Sequence, residues 1–233
     1  MRVAIVENTA FTHHGQVGVA LHQAAARIGL YKPWSDGRLP DPDGYEALVV
    51  FGGEQAATDD HTHPYLPALA ACIRAFESAD KAVLGICLGA QLMARAFGGV
   101  NRLGATREAG WCEVALRAEG RADPLFHGIA DRFRIMQLHS DTFDLPPGAV
   151  HLATSPVAPA QAFRIGRASY AAQFHFEASR AVVADWNRGF AHVFRATDPD
   201  WDNIYPQALA THGAAADATG LQLARNWVGL IRG

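Results

Sequence analysis

Residues Ala82 to Gln91 read AVLGICLGAQ. The continuous apolar run AVLGIC has the character of a short strand buried on both faces. A helical segment follows, from about Ala90 to Phe97, and ends at Gly98 and Gly99. Cys87 falls at the junction between Gly85 and Gly89. The form G-x-C-x-G at a strand-to-helix turn is the cysteine counterpart of the nucleophile elbow, whose sharp backbone bend exposes the reactive side chain. Glycines on either side relieve collisions between strand and helix. The helix beginning just after Cys87 aims free N–H groups and a partial positive charge at the sulfur, the setting in which a cysteine serves as a nucleophile. The same turn is also compatible with a cysteine retained for packing alone, so a base has to be found elsewhere.

Working outward, RVAIVE at the N-terminus reads as a strand, and apolar residues at Val17, Leu21, Ala24 and Ile28 predict a helix. YEALVVF is a second buried strand, stopping at Gly52 and Gly53, and Pro64 opens a helix to about Ala79. Strands alternating with helices predict an α/β fold: an open, mostly parallel sheet with helices on both faces. Ligands of such sheets gather beyond the carboxyl ends of the strands, where Gly52, Gly53 and Cys87 all fall. The segments CEVALR, RFRIMQ, AVHLAT, QAFRI and YAAQFHF, separated by turns such as Pro146 to Gly148, predict an antiparallel extension of that sheet. The remainder, from about 181 to 233, is Ala-rich and helical with one break at DPDWDN. Its aromatic residues Trp186, Phe190, Phe194, Trp201 and Trp227 are expected in core packing, with a dimer or partner-subunit interface as the alternative. One domain over 1–233 is expected, with a catalytic core over about 1–180.

The 233 residues are 49% hydrophobic and 18% charged, enough for one sizeable core. A formal net charge of -3 and a pI near 6.4 leave no electrostatic footprint for nucleic acid or an anionic membrane, so the expected partner is a small molecule or a protein. No run approaches the roughly 18 apolar residues of a membrane span, and Glu7 interrupts the N-terminal apolar stretch, so a cytoplasmic protein is expected. Cys72 and Cys112 are expected to be small buried hydrophobes, without disulfides. His61 and His63, beside Asp59 and Asp60, and the pair His13 and His14 match no zinc spacing, so neither a metal nor a cofactor is expected. The acidic loop after Gly53 is expected to border the mouth of the site.

Gln173 to Glu177 read QFHFE. In an extended segment Gln173, His175 and Glu177 share one face, and Phe174 and Phe176 anchor the other in apolar packing. A histidine presented with a carboxylate is what a base and its orienting group require, although a half-buried strand with outward polar residues reads the same way.

Taken together, GICLGAQ, the FGG of Phe51 to Gly53, and QFHFE resemble the motifs of class I (triad) glutamine amidotransferases. HSDTFDLPPGA, from His139 to Ala149, and EAGW, from Glu108 to Trp111, are similar to segments of stand-alone members related to the GMP synthase amidotransferase domain. The resemblance covers about Arg2 to Glu177 and implies the flavodoxin-like fold of that class. It implies a triad of Cys87, His175 and Glu177 and an oxyanion hole from the N–H groups of Leu88 and Gly53. It also implies substrate contacts at Gly52, Gln91, His139, Ser140 and Asp141. Two departures stand out: Glu54 replaces the usual proline after the glycine pair, and Phe176 replaces the proline between histidine and glutamate. The implied activity is hydrolysis of the glutamine side-chain amide through a cysteine thioester, with ammonia passed to a separate synthase subunit. The alternatives are a stand-alone γ-glutamyl peptidase or hydrolase, and a catalytically silent regulatory or binding subunit. Homo-oligomerisation is compatible with all three.

Overall fold

A computed structural model describes residues 1–232. The strands are β1 (Arg2–Val6), β2 (Arg27–Tyr31), β3 (Ala47–Val50), β4 (Ala82–Ile86), β5 (Asn101–Arg102), β6 (Glu108–Leu116), β7 (Arg132–His139), β8 (Thr142–Phe143), β9 (Val150–Thr154), β10 (Ala162–Ile165) and β11 (Ser169–Ala172). The α-helices are α1 (Gly15–Gln23), α2 (Pro33–Asp36), α3 (Leu66–Ser78), α4 (Leu88–Ala96), α5 (Ala118–Ala122), α6 (Arg180–Gly189), α7 (Ala191–Thr197) and α8 (Trp201–Val228).

Nine strands form one sheet in the order β2-β1-β3-β4-β11-β10-β9-β6-β7. The pairings from β2 to β11 are parallel, and those from β11 to β7 are antiparallel. The expected α/β class, with an antiparallel extension, is therefore the observed one. Side chains alternate across the sheet as strand geometry requires. Val3 and Ile5 of β1 pack into the core shared with α1 and α8, whereas Ala4 and Val6 pack with α3 and α4 on the other face. Both faces are covered, which explains why β1, β3 and β4 are apolar throughout rather than alternating.

The sequence reading departs from the structure at several elements. The helix expected through Ile28 ends at Gln23; Ala25 has a positive φ of 52°, and Ile28 lies in β2. Because β2 is an edge strand that leaves Ile28 and Leu30 exposed, its apolar residues did not read as a buried run. The QFHFE segment is not an extension of its strand: β11 stops at Ala172, and His175 makes only an isolated bridge with Met136. The C-terminal region has two breaks, one at Phe190 and one over residues 198–200, with Trp201 already beginning α8. Cys72 is buried as expected, whereas Cys112 is only half-buried because it lies on the less covered side of β6. No helix among the described residues is long and apolar enough to cross a membrane.

Candidate active site

The site arises where two adjacent parallel strands end. Cys87 follows β4 directly, and its N–H donates to the carbonyl of Ala172, the last residue of β11, at 2.9 Å. Three residues beyond Ala172 the chain reaches His175, whose N–H donates to the Met136 carbonyl at 2.8 Å. Although β7 forms the edge of the sheet opposite β2, Met136 thus reaches His175 just beyond the end of β11.

Cys87 has φ 53° and ψ −109°, a strained conformation for a side-chain-bearing residue. The flanking glycines permit it through close approach. A Cβ on Gly89 would lie 2.0 Å from the Val50 carbonyl oxygen, and one on Gly85 would lie 2.5 Å from the Gly89 carbonyl oxygen. Helix α4 can therefore start against β3 only without those side chains, as the sequence pattern implied. The first helical bond of the turn runs from Gln91 N–H to the Cys87 carbonyl at 3.0 Å, leaving the preceding N–H groups of the helix start free of helical acceptors.

Gly52 shows how near cysteine and histidine lie. A Cβ built there would stand 3.3 Å from His175 Cε1 and 3.4 Å from Cys87 Cβ, so both side chains border one point. On its other side His175 Nδ1 lies 2.7 Å from Glu177 Oε1, with both side chains buried. Burial opposes charging of this ring, but the Glu177 carboxylate, then Cys87, and hydrogen bonds to both outweigh it and push the His175 pKa up to about 10. Glu177 is itself fixed by backbone contacts: its carbonyl accepts from Gln16 N–H at 2.9 Å, beside Gly15, where a Cβ would sit 1.8 Å from that oxygen.

The loop carrying Gly52 and Gly53 is braced on both sides. Asn8 Nδ2 donates to the Phe51 carbonyl at 2.8 Å, Gln55 Nε2 donates to the Asn8 carbonyl at 3.1 Å, and Tyr65 hydroxyl donates to Asn8 Oδ1 at 3.2 Å. A Cβ on Gly53 would meet Leu88 Cδ2 at 2.9 Å, so the loop lies against the start of α4. Of the acidic loop that follows, Glu54 faces the cavity, whereas Asp60 is turned away into a two-point pair with Arg95, both bonds 2.6 Å.

Cys87, His175, Glu177, Gly52, Gly53 and Ser140 all line one cavity of about 320 Å³. The other implied substrate-contacting residues sit behind its wall. Gln91 donates to Gln173 Oε1 at 3.2 Å and to the Asp141 carbonyl at 3.4 Å. His139 Nδ1 donates to the Asp141 carbonyl at 2.9 Å, and its Nε2 lies 3.1 Å from Glu108 Oε2. Asp141 Oδ1 accepts from Gly104 N–H at 2.8 Å. Buried Glu108 also accepts from Ser155 Oγ at 2.8 Å and Gln161 Nε2 at 2.6 Å, so it ties β6, β7 and the loop before β10 together beneath the site. Gln173, read as sharing a face with His175, lies in this buried layer instead.

The sequence reading missed the outer wall. Trp186 and Phe190 of the α6 region, Val193 of α7, and Phe11 of the loop after β1 line the same cavity as Cys87 and His175. Trp186 packs edge-on to the His175 ring, centroids 4.9 Å apart, and Phe11 packs edge-on to Phe190 at 5.3 Å. His13 Nε2 bonds Asp185 Oδ2 at 2.8 Å, tying that loop to α6. The spacing of Trp186 and Phe190, one helical turn apart, was the signal available in the sequence, but the same spacing describes any core-facing helix.

The model of the family described as glutamine amidotransferase class-I matches residues 16–183. The chain belongs to this family. Among the relatives of this chain is a glutamine-hydrolyzing GMP synthase subunit of Natronomonas pharaonis, 33% identical, with 79% of this chain and 92% of the relative aligned. The glutamine amidotransferase-like protein YfeJ of Salmonella typhimurium is 28% identical over 70% of this chain and 75% of its own length. In fold, the chain superposes on a glutamine amidotransferase of Thermotoga maritima with a TM-score of 0.83 at 23% identity, covering 100% of this chain and 99% of the other.

Proposed function

We propose that this amidotransferase hydrolyses the side-chain amide of glutamine through a thioester on Cys87. The observation that carries the reading is the 2.7 Å bond from His175 to Glu177 on a ring that also borders Cys87, inside one cavity. With Nδ1 engaged by the carboxylate, Nε2 is the nitrogen left to exchange a proton with the thiol and then with the departing amine. Cys87 attacks the amide carbon, and the N–H groups of Leu88 and Gly53 receive the oxyanion. Each such donor is worth about 100 to 1000-fold in rate. His175 hands its proton to the leaving nitrogen, ammonia departs, and a water activated by His175 cleaves the thioester to glutamate and free thiol. The relatives named as glutamine-hydrolyzing subunits of GMP synthase support delivery of that ammonia to a separate synthase subunit.

Labelling with 6-diazo-5-oxo-norleucine, a reactive glutamine mimic, tests the reading by mass spectrometry. The expected adduct is on Cys87 and is suppressed in His175→Ala. A label distributed equally over Cys72, Cys87 and Cys112, or one unaffected by loss of the imidazole, would overturn it.

A further inference from the structure

We propose that the cavity also takes N-substituted γ-glutamyl amides, and that its outer wall selects those whose amine is apolar or aromatic. This rests on the Cys87 thioester reading and extends it to the leaving group. In that chemistry the departing nitrogen must reach His175, the proton donor, and so lies on the side of the cavity where Trp186 packs against the imidazole. A substituent on that nitrogen projects onto Trp186, Phe190, Phe11 and Val193, all of which line the cavity. Ammonia makes no use of such a wall. Phe11 is nevertheless 55% exposed and Val193 36% exposed, and Phe190 is only half-buried, so apolar surface stands open where the leaving group passes. Such surface beside a reacting centre is covered at a gain when an apolar group occupies it.

The charges on the lining act in the same direction. Among the described residues no lysine or arginine lines the cavity, and Glu54 lines it. Amines that themselves carry a carboxylate, as in γ-glutamyl peptides, would therefore meet no lysine or arginine on this wall and would face the Glu54 carboxylate. The wall is also held in place: the bond between His13 and Asp185 and the edge-on pair of Phe11 and Phe190 clamp the loop after β1 onto the C-terminal helices. The reaction balances as before. The Cys87 sulfur bonds to the γ-carbonyl carbon, the C–N bond breaks, and the amine leaves with the proton from His175. Water then releases glutamate and restores the thiol.

The test compares kcat/KM for γ-glutamyl-ethylamide, γ-glutamyl-phenethylamide, γ-glutamylglycine and glutamine. The first two release amines of similar basicity, so their ratio reports the wall rather than intrinsic reactivity. The phenethylamide is expected to exceed the ethylamide by about tenfold or more, the scale of apolar discrimination in a pocket, with γ-glutamylglycine the poorest of the amides. Phe11→Ala and, separately, the milder Phe190→Leu should each bring the phenethylamide to ethylamide ratio toward one. A ratio near one in the native enzyme, or one that neither substitution changes, overturns the proposal. Glutamine turnover and Cys87 labelling separate the two levels: with both intact and no amide preference, only the wall proposal fails. With neither present and no amide cleaved, the thioester reading itself fails.

Discussion

Replacing Glu177 with glutamine keeps an acceptor for His175 Nδ1 but removes the charge. In the native protein the ring is buried, which disfavours its charged form, yet Glu177 and then Cys87 raise its pKa from 6.5 to about 10. With the carboxylate gone, only Cys87 is left to oppose burial, and the pKa falls. The alkaline limb of the pH profile of kcat/KM, expected near 10 in the native protein, should move to lower pH, and the rate at pH 8 should fall on the order of 10² to 10⁴-fold. The same shift makes a claim about stability. A folded-state pKa above the unfolded one contributes stability that is fully present below about 6.5 and is lost as pH rises through about 10. At about 1.36 kcal/mol per unit, the contribution has a ceiling of about 5 kcal/mol. The urea midpoint of the native protein should accordingly fall between pH 7 and 10 more steeply than that of Glu177→Gln. The substitution has its own cost, because Glu177 Oε2 is buried without a partner and the new amide N–H₂ finds no acceptor there. That cost is independent of pH and leaves the slope readable. An alkaline limb at the same pH in both proteins would refute the argument that Glu177 sets the protonation state of His175.

Gly89→Ala tests the packing of the turn at Cys87: a Cβ 2.0 Å from the Val50 carbonyl forces α4 off β3. Despite the better helix propensity of alanine, it should cost roughly 1–3 kcal/mol in a urea melt and lower turnover; an unchanged midpoint would contradict the close approach. Glu108→Ala leaves Ser155 and Gln161 without their shared acceptor and His139 Nε2 without its partner in a buried layer, and a loss of roughly 2–4 kcal/mol is expected in chemical denaturation. A loss under about half a kcal/mol would mean that this network is not holding β6 and β7 together.

The elements that were legible are those whose local chemistry is unambiguous. The runs RVAIVE, YEALVVF and AVLGIC are buried on both faces, so their composition alone marked them as strands of a covered parallel sheet. Strand β2 escaped notice because, at the sheet edge, Ile28 and Leu30 stay exposed and their spacing also fits the helix before them. The extent of the strand before His175 was misread for a related reason. QFHFE alternates polar and apolar residues, but its partners are Gln161 and Met136 from different segments rather than one continuous ladder.

The sequence by itself determined the parallel α/β core and the sharp glycine-flanked turn at Cys87, because both depend on steric and burial preferences that act within a few residues. It also placed the imidazole and the carboxylate two positions apart, close enough for their contact to be a local matter. Only the tertiary structure decided what stands opposite them. Trp186, Phe190 and Val193 reach the cavity because α6 and α7 fold back over the ends of β4 and β11, and Phe11 meets them from a loop more than a hundred and seventy residues earlier. A helical spacing of aromatic residues records that one face is covered, but what covers it depends on packing between distant segments.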